Sequence, residues 1–304
     1  MPTNKSLKRL EWFNYGVEAF ARARPDAPRL YCCPICIRGF DNPDELTIEH
    51  VPPKSVGGKP LVLTCQDCNN RSGHLLDAHI RTGRDRREVA EGKRETWIKL
   101  SQFGHTVTAK ALFGPGRIHV TAVPEKSDPE AHRSLFAKLD EVAATKSMDW
   151  GFSIEFSFRH SRLREAVGWL RVAYLYAFAA LGYNFILRPE LNIIREQFQR
   201  PDDRIAPQAM KHSGSLAIGD VLSFVYSPAE LRSIVIILGA NLFFFPAFID
   251  ASTLYERLTS YPSTGQKLTV SGAYIDLPRR PWFEFDYHPG SMWFTVTPEE
   301  RSVM

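Results

Sequence analysis

Beyond residue 68 this 304-residue chain has no cysteine; Cys32, Cys33, Cys36, Cys65 and Cys68 are its full complement. An odd count in two tight clusters argues against a disulfide-stapled secreted scaffold. The first residues lack the basic start, apolar middle and small-residue exit of an export leader. Apolar runs of membrane length are missing too. The most apolar stretch, Ala166 to Leu181, is about a turn short of a typical span and carries Arg171 inside it, so a buried helix is expected. There is no Walker-type phosphate loop, no Rossmann glycine pattern and no GxSxG elbow, which removes the commonest nucleotide-binding and hydrolase frames. Internal repeats and low-complexity tracts are also lacking. A globular protein of a reducing compartment is left, expected in the cytoplasm and without a membrane partner.

What is present is ordinary in bulk: 44% hydrophobic and 24% charged residues, enough apolar material for a large core. The net charge of +4 is unevenly placed. Residues 1–100 hold 17 Lys and Arg against 13 Asp and Glu, whereas residues 101–304 hold 21 of each. The basic excess therefore lies with the cysteines, which fits a phosphate-bearing partner, although four bound thiolates would offset it.

Apolar spacing of three to four over residues 7–23 predicts an amphipathic helix, ended by Pro25 and Pro28. Leu46–Val51 and Leu61–Thr64 read as strands on either side of a Pro52-Pro53 and Gly57-Gly58 loop, and a helix follows from Asn69 to about Arg81. Residues 81–95 are dense in charges of both signs and read as a solvated helix or linker. Further strands are expected at 97–100, 106–113, 117–123, 152–158, 221–225, 234–238, 242–245, 268–270 and 282–287, with helices over 131–144 and 162–183. The class is α+β. The expected division is an N-terminal helical segment (1–29), a metal-stapled core (30–82), a charged connector (83–95) and an α+β domain of open role (96–304).

The specific signal is Cys33-Pro-Ile-Cys36 paired with Cys65-Gln-Asp-Cys68. Two residues between ligands let one tight turn aim both sulfurs at one ion, and two such knuckles frame a tetrahedral structural zinc site. Cys32 offers a rival three-residue spacing to Cys36. The two-residue gap matches the second knuckle, so Cys33 is preferred and Cys32 is read as a small buried residue. A zinc ribbon that only binds nucleic acid or protein has the same frame. The residues between and after the knuckles turn the reading toward chemistry: Glu49-His50 closes the first strand, and Asn69-Asn70 follows Cys68 directly.

The string from Cys33 through EHVPPKSVGG to CQDCNNRSGH resembles the zinc-carrying HNH (ββα-metal) endonucleases, in the order CxxC, acid-His, CxxC-Asn found in endonuclease VII-type members. The resemblance covers roughly residues 30–80. It implies a small zinc-stapled ββα-metal motif that hydrolyses phosphodiester bonds in DNA, with RNA left open as substrate. It implies His50 as general base, suited by an imidazole that titrates near neutrality. It implies Glu49 and Asn69 as oxygen ligands of one catalytic divalent ion, and hard oxygens with open positions suit Mg²⁺ or Mn²⁺. His74, about a turn beyond Asn69, would be a third ligand or a phosphate contact. Arg71 and Lys54 would be phosphate contacts, since cations there stabilise developing charge. Asp77 would orient a neighbour, and His79 is given no role. By analogy with the family, restriction, phage defence or mobile-element processing would be the setting.

Two positions depart from the family. Glu49 stands where Asp is more usual, one methylene further from the backbone. The loop Gly57-Gly58-Lys59-Pro60-Leu61 lacks the middle Asn that pins the two strands, leaving Pro52-Pro53 to hold it. The remaining histidines (His105, His119, His132, His160, His212 and His288) are scattered and read as structural or surface residues. The aromatics Phe243, Phe244, Phe245, Trp282, Phe283, Phe285 and Trp293 read as core. The alternative function is a catalytically inactive zinc-ribbon module that binds nucleic acid or a partner. Residues 96–304 would read DNA, oligomerise as a homodimer, bind a partner protein or sense a ligand. The zero net charge over residues 101–304 argues against a second strong DNA surface unless positive residues gather on one face.

Overall fold

In a computed structural model of the protein, the residues described are 3–145, 151–156, 158–212, 219–260 and 270–279. They are mixed α+β, as expected, and form two compact units. The larger comprises Met1–Ile80 with Arg162–Met304; the smaller is Arg81–Ser161, inserted between them. The stretch 83–95, expected as a charged linker or helix, is helical to Ala90, and after the insertion the chain returns to its first unit at Arg162.

The larger unit opens with helix α1 (Asn4–Ala23), capped by the Thr3 hydroxyl, which accepts from the Ser6 amide at 3.2 Å. Its apolar stripe buries Trp12, Phe13, Ala19 and Phe20. The two-residue strands β1 (Tyr31–Cys32) and β2 (Gly39–Phe40) carry the first knuckle between them. Strands β3 (Leu46–Val51) and β4 (Lys59–Cys65) form an antiparallel hairpin, and α2 (Gln66–Ser72) starts on the last residues of the second knuckle. One π-helical turn (Gly73–Asp77) joins α2 to α3 (Ala78–Ala90), so the helix expected to end near Arg81 runs on.

In the smaller unit, β5 (Thr96–Gln102), β6 (His105–Gly114) and β7 (Arg117–Ala122) form a meander, followed by α4 (Pro129–Thr145) and the short β8 (Ser153–Glu155). The antiparallel sheet order is β7-β6-β5-β8. Its core is small, with Ile98, Ala109 and Ala111 buried and Leu100, Phe113 and Ile154 packed on them.

The chain then re-enters the larger unit through α5 (Arg162–Leu181), α6 (Tyr183–Ile186), α7 (Asn192–Gln199) and β9 (Met210–His212). Strands β10 (Val221–Ser227), β11 (Ser233–Leu238) and β12 (Asn241–Phe245), helix α8 (Ala251–Ser260) and β13 (Ser271–Asp276) complete it. These strands form a five-stranded sheet of order β13-β10-β11-β12-β9. All six residues of β11 are buried, which explains the unbroken apolar run from Ile234 to Leu238. Phe243, Phe244 and Phe245 are buried core residues. The strand expected at 282–287, most of the one at 268–270, and Trp282, Phe283, Phe285, His288 and Trp293 lie outside the described residues.

Helix α5 is the apolar run that the sequence marks as buried, and no helix among the described residues is long and apolar enough to cross a membrane. A Cβ at Gly168 would lie 2.9 Å from the Ile80 side chain, so glycine sets how closely α5 approaches the end of the motif.

Candidate active site and metal centre

The four sulfurs of Cys33, Cys36, Cys65 and Cys68 lie within 4.8 Å of one another. Tetrahedral bonds of about 2.3 Å to one zinc ion would place sulfurs roughly 3.8 Å apart. The Cys36–Cys65 pair is at 3.8 Å, so this cluster can hold a metal such as zinc. The first knuckle closes through the Ile37 amide, which donates to the Cys33 carbonyl at 2.9 Å. This holds Ile37 at φ 59°, a left-handed conformation that a β-branched residue rarely takes. The Cys65 amide donates to Cys33 Sγ at 3.4 Å, the kind of backbone contact that steadies a thiolate. Arg38 reaches the same sulfurs, with Nε at 3.5 Å from Cys36 Sγ and Nη2 at 2.7 Å from Asp67. Cys32 is outside the cluster. Burial pushes its thiol up to about 12, and its backbone N–H and C=O both pair with the Tyr183 hydroxyl.

On β3, Thr47 and Glu49 share a face, because side chains alternate along a strand. Thr47 lies opposite Thr64 of β4. The Thr64 hydroxyl donates to Glu49 Oε2 at 3.1 Å, and Asn69 Nδ2 of α2 approaches the Thr47 hydroxyl at 3.5 Å. Glu49 and Asn69 are thus brought to one threonine pair, with Asn69 contacting the strand at Thr47. The ladder slips between Glu49 and His50, with Glu49 opposite Val62 and His50 opposite Pro60. Such a bulge re-aims the side chains beside it. His50 is half-buried, and its pKa lies below the ordinary 6.5, mainly through burial. Glu49 raises it, while Lys54, Lys5 and Lys59 lower it.

The loop between the strands is held without the family's middle Asn. The amides of Val56 and Gly58 donate to the Pro53 carbonyl at 2.9 and 3.2 Å. Gly58 is obligatory, because a Cβ there would stand 1.4 Å from the Pro52 carbonyl oxygen. Lys54, in a single 3-10 turn, is exposed. His74 is exposed on the π-helical turn. Arg71 is exposed and donates to the Gln199 carbonyl. A cavity of about 400 Å³ adjoins the cysteine cluster through Cys36 and Cys68 and includes Arg71 in its lining, but not Glu49, His50 or Asn69.

Sequence reasoning treated Arg171 only as a charge inside an apolar helix, and its role in the site was missed. In α5 its side chain is 2% exposed, and Nη2 donates to Glu49 Oε2 at 2.9 Å, with Nη1 at 3.4 Å from Oε1. Asp77 is a second acid beside it, 4.0 Å from the same Nη1. Burial outweighs the pull of Arg171 and raises the Asp77 carboxyl to about 6. Glu49, only 3% exposed, is therefore a buried, ion-paired carboxylate. The signal was available: a guanidinium in the most apolar stretch of a chain must find a partner. The same helix secures the motif twice more. The Tyr174 hydroxyl donates to the Pro34 carbonyl in the first knuckle at 2.9 Å, and that of Tyr176 to the Val51 carbonyl beside His50 at 3.1 Å.

This cysteine-framed hairpin and helix coincide with a family match: residues 33–83 fit the model described as HNH endonuclease. No curated protein and no solved structure matches the chain. The match supports a nuclease-type function and, with it, nucleic-acid binding.

Proposed function

We propose that residues 33–83 form a metal-dependent HNH endonuclease centre that hydrolyses phosphodiester bonds in DNA. The observation that carries the reading is the placement, within the family-matched segment, of Glu49-His50 and Asn69 on a strand and helix anchored by one four-cysteine cluster. The cysteines hold zinc as a structural ion, and Glu49 and Asn69 hold a single Mg²⁺ or Mn²⁺. Their donor atoms fit such a cation: one carboxylate and one amide supply hard oxygens. Among the described residues, the contact that Glu49 Oε1 makes is the 3.4 Å approach of Arg171, which leaves it lone pairs to offer. When bound, that ion supplies Lewis-acid polarisation of the phosphate and stabilises the leaving oxygen.

The chain's own residues do the rest. His50, held neutral by its lowered pKa, takes the proton from the attacking water. The water oxygen bonds to phosphorus as the P–O3′ bond breaks, and the leaving 3′ oxygen takes up a proton from solvent water, giving a 5′ phosphate and a 3′ hydroxyl. Arg171 holds the Glu49 carboxylate in place through two guanidinium contacts. Lys54, Arg71 and His74, all exposed, are the groups offered to phosphates. We place the protein in the cytoplasm, where free thiols persist.

The burial of Glu49 favours a second reading, a zinc-ribbon module that binds without cutting. Nicking of supercoiled plasmid with Mg²⁺ separates the two. Cutting by the parent chain that falls at least about a hundredfold in His50→Ala supports the nuclease. Zinc-dependent DNA binding with no nicking by the parent chain refutes it.

A further inference from the structure

The smaller unit carries an open sheet face on which cations gather around one exposed aromatic ring. Directly opposed residues of an antiparallel pair share a face, as do alternate residues of one strand. Trp97 lies opposite Lys110, Lys99 opposite Thr108 and Glu155, Lys110 opposite Thr121, and Gly114 opposite Arg117. Trp97, Lys99, Lys110 and Arg117 therefore share one face, while buried Ile98, Ala109 and Ala111 occupy the other.

Trp97 is 46% exposed, a large ring left in solvent on a sheet that has an apolar core to offer it. Lys126, in the turn after β7, places Nζ 4.3 Å from the ring centroid, and Lys110 Nζ is at 5.3 Å. Lys99 is exposed beside them, its Nζ donating to Thr108 at 2.8 Å. The acids on this face are Glu155 and Glu95, the latter 3.8 Å from Lys110. A solvent-exposed aromatic ringed by cations matches what an unpaired polynucleotide presents, a flat base with a phosphate on either side.

We propose that this face binds a single-stranded stretch of nucleic acid, with Trp97 stacking on a base and Lys99, Lys110, Lys126 and Arg117 contacting phosphates. The proposal rests on the reading that this chain acts on nucleic acid, and it assigns part of that recognition to residues outside the HNH segment. Residues 81–161 hold 14 Lys and Arg against 11 Asp and Glu, and four of those cations gather around this face.

The test measures binding apart from cutting. Full-length His50→Ala chain, without added Mg²⁺, is titrated into fluorescein-labelled 20-nucleotide single-stranded DNA and into the matching duplex. The expected result is at least tenfold weaker single-strand binding in the triple variant Lys99→Glu/Lys110→Glu/Lys126→Glu. The slope of log affinity against log salt falls by about 2. Trp97→Leu weakens single-strand binding roughly tenfold and leaves duplex binding within twofold. All four positions are at least partly exposed, and circular dichroism melting checks that the variants fold. Single-strand affinity unchanged within twofold in both variants overturns the proposal, as does an equal loss of duplex binding in Trp97→Leu or a parent chain that binds neither DNA. Plasmid nicking by the chain with His50 intact is read separately. Nicking with an inert sheet face sinks this proposal alone, and face-dependent binding without nicking sinks the nuclease reading alone.

Discussion

Replacing Arg171 by methionine should cost the larger unit about 3–5 kcal/mol, the range for removing one partner of a buried ion pair. The structure sets the magnitude near the top of what an ion pair can cost. The side chain is 2% exposed, and it faces Glu49 at 2.9 Å and Asp77 at 4.0 Å. Methionine fills much of the volume but leaves both carboxylates in the interior without a cation. Urea unfolding at 25 °C, followed by tryptophan fluorescence, reads the loss directly. In a thermal melt it corresponds to a shift on the order of 10 °C for a unit of this size. A companion variant sharpens the test. Glu49→Gln in the Arg171→Met background removes one of the stranded charges, so the double variant should be more stable than Arg171→Met alone by at least about 1 kcal/mol. A loss below about 1 kcal/mol in Arg171→Met, or a double variant less stable than the single, would refute the description of this cluster as a desolvated ion pair.

The cysteine cluster predicts one zinc ion per chain by elemental analysis, lost in Cys68→Ser and retained in Cys32→Ala. Stripping it should unfold the motif, since structural zinc in small modules contributes on the order of 10 kcal/mol of apparent binding energy. Asp77 gives a pH signature: its carboxyl is raised from 3.8 to about 6, so the folded state holds that proton more tightly than the unfolded chain. Stability from this group is full below pH 4 and lost as pH rises toward 6, by on the order of 2–3 kcal/mol, and Asp77→Asn should flatten that window in urea titrations. Gly58→Ala sets a methyl against the Pro52 carbonyl oxygen and should cost at least about 2 kcal/mol, read as a lower urea midpoint.

Local pattern carried most of the elements. Leu46–Val51 alternates as a half-buried strand should and is β3 to the residue. Ile234–Leu238, expected as a strand from its continuous apolar run, lies within β11 and is buried throughout. The short helices α6, α7 and α8 carry no readable sequence signal, because four to ten residues hold too few periods to rise above their surroundings. The charged stretch 81–90 prolongs a helix: Arg84 pairs with Glu88 at 3.4 Å one turn on, support that mixed-sign charge at this spacing gives. In the site, the four-cysteine frame is legible because knuckle chemistry demands fixed spacing. Arg171 is not, since it meets Glu49 from 122 positions away, and no local pattern encodes a contact that only tertiary packing creates.

The insertion has a consequence for how the chain is made. Residues 1–80 leave the ribosome with both knuckles and the hairpin, but α5, with Arg171, Tyr174 and Tyr176, follows only after the whole of Arg81–Ser161 has been synthesised. At about 5–20 residues per second, the nascent hairpin waits roughly 5–20 seconds for its counter-charge. Metal capture is the step that can protect it meanwhile, so zinc supply during translation, rather than after release, should govern the yield of folded protein.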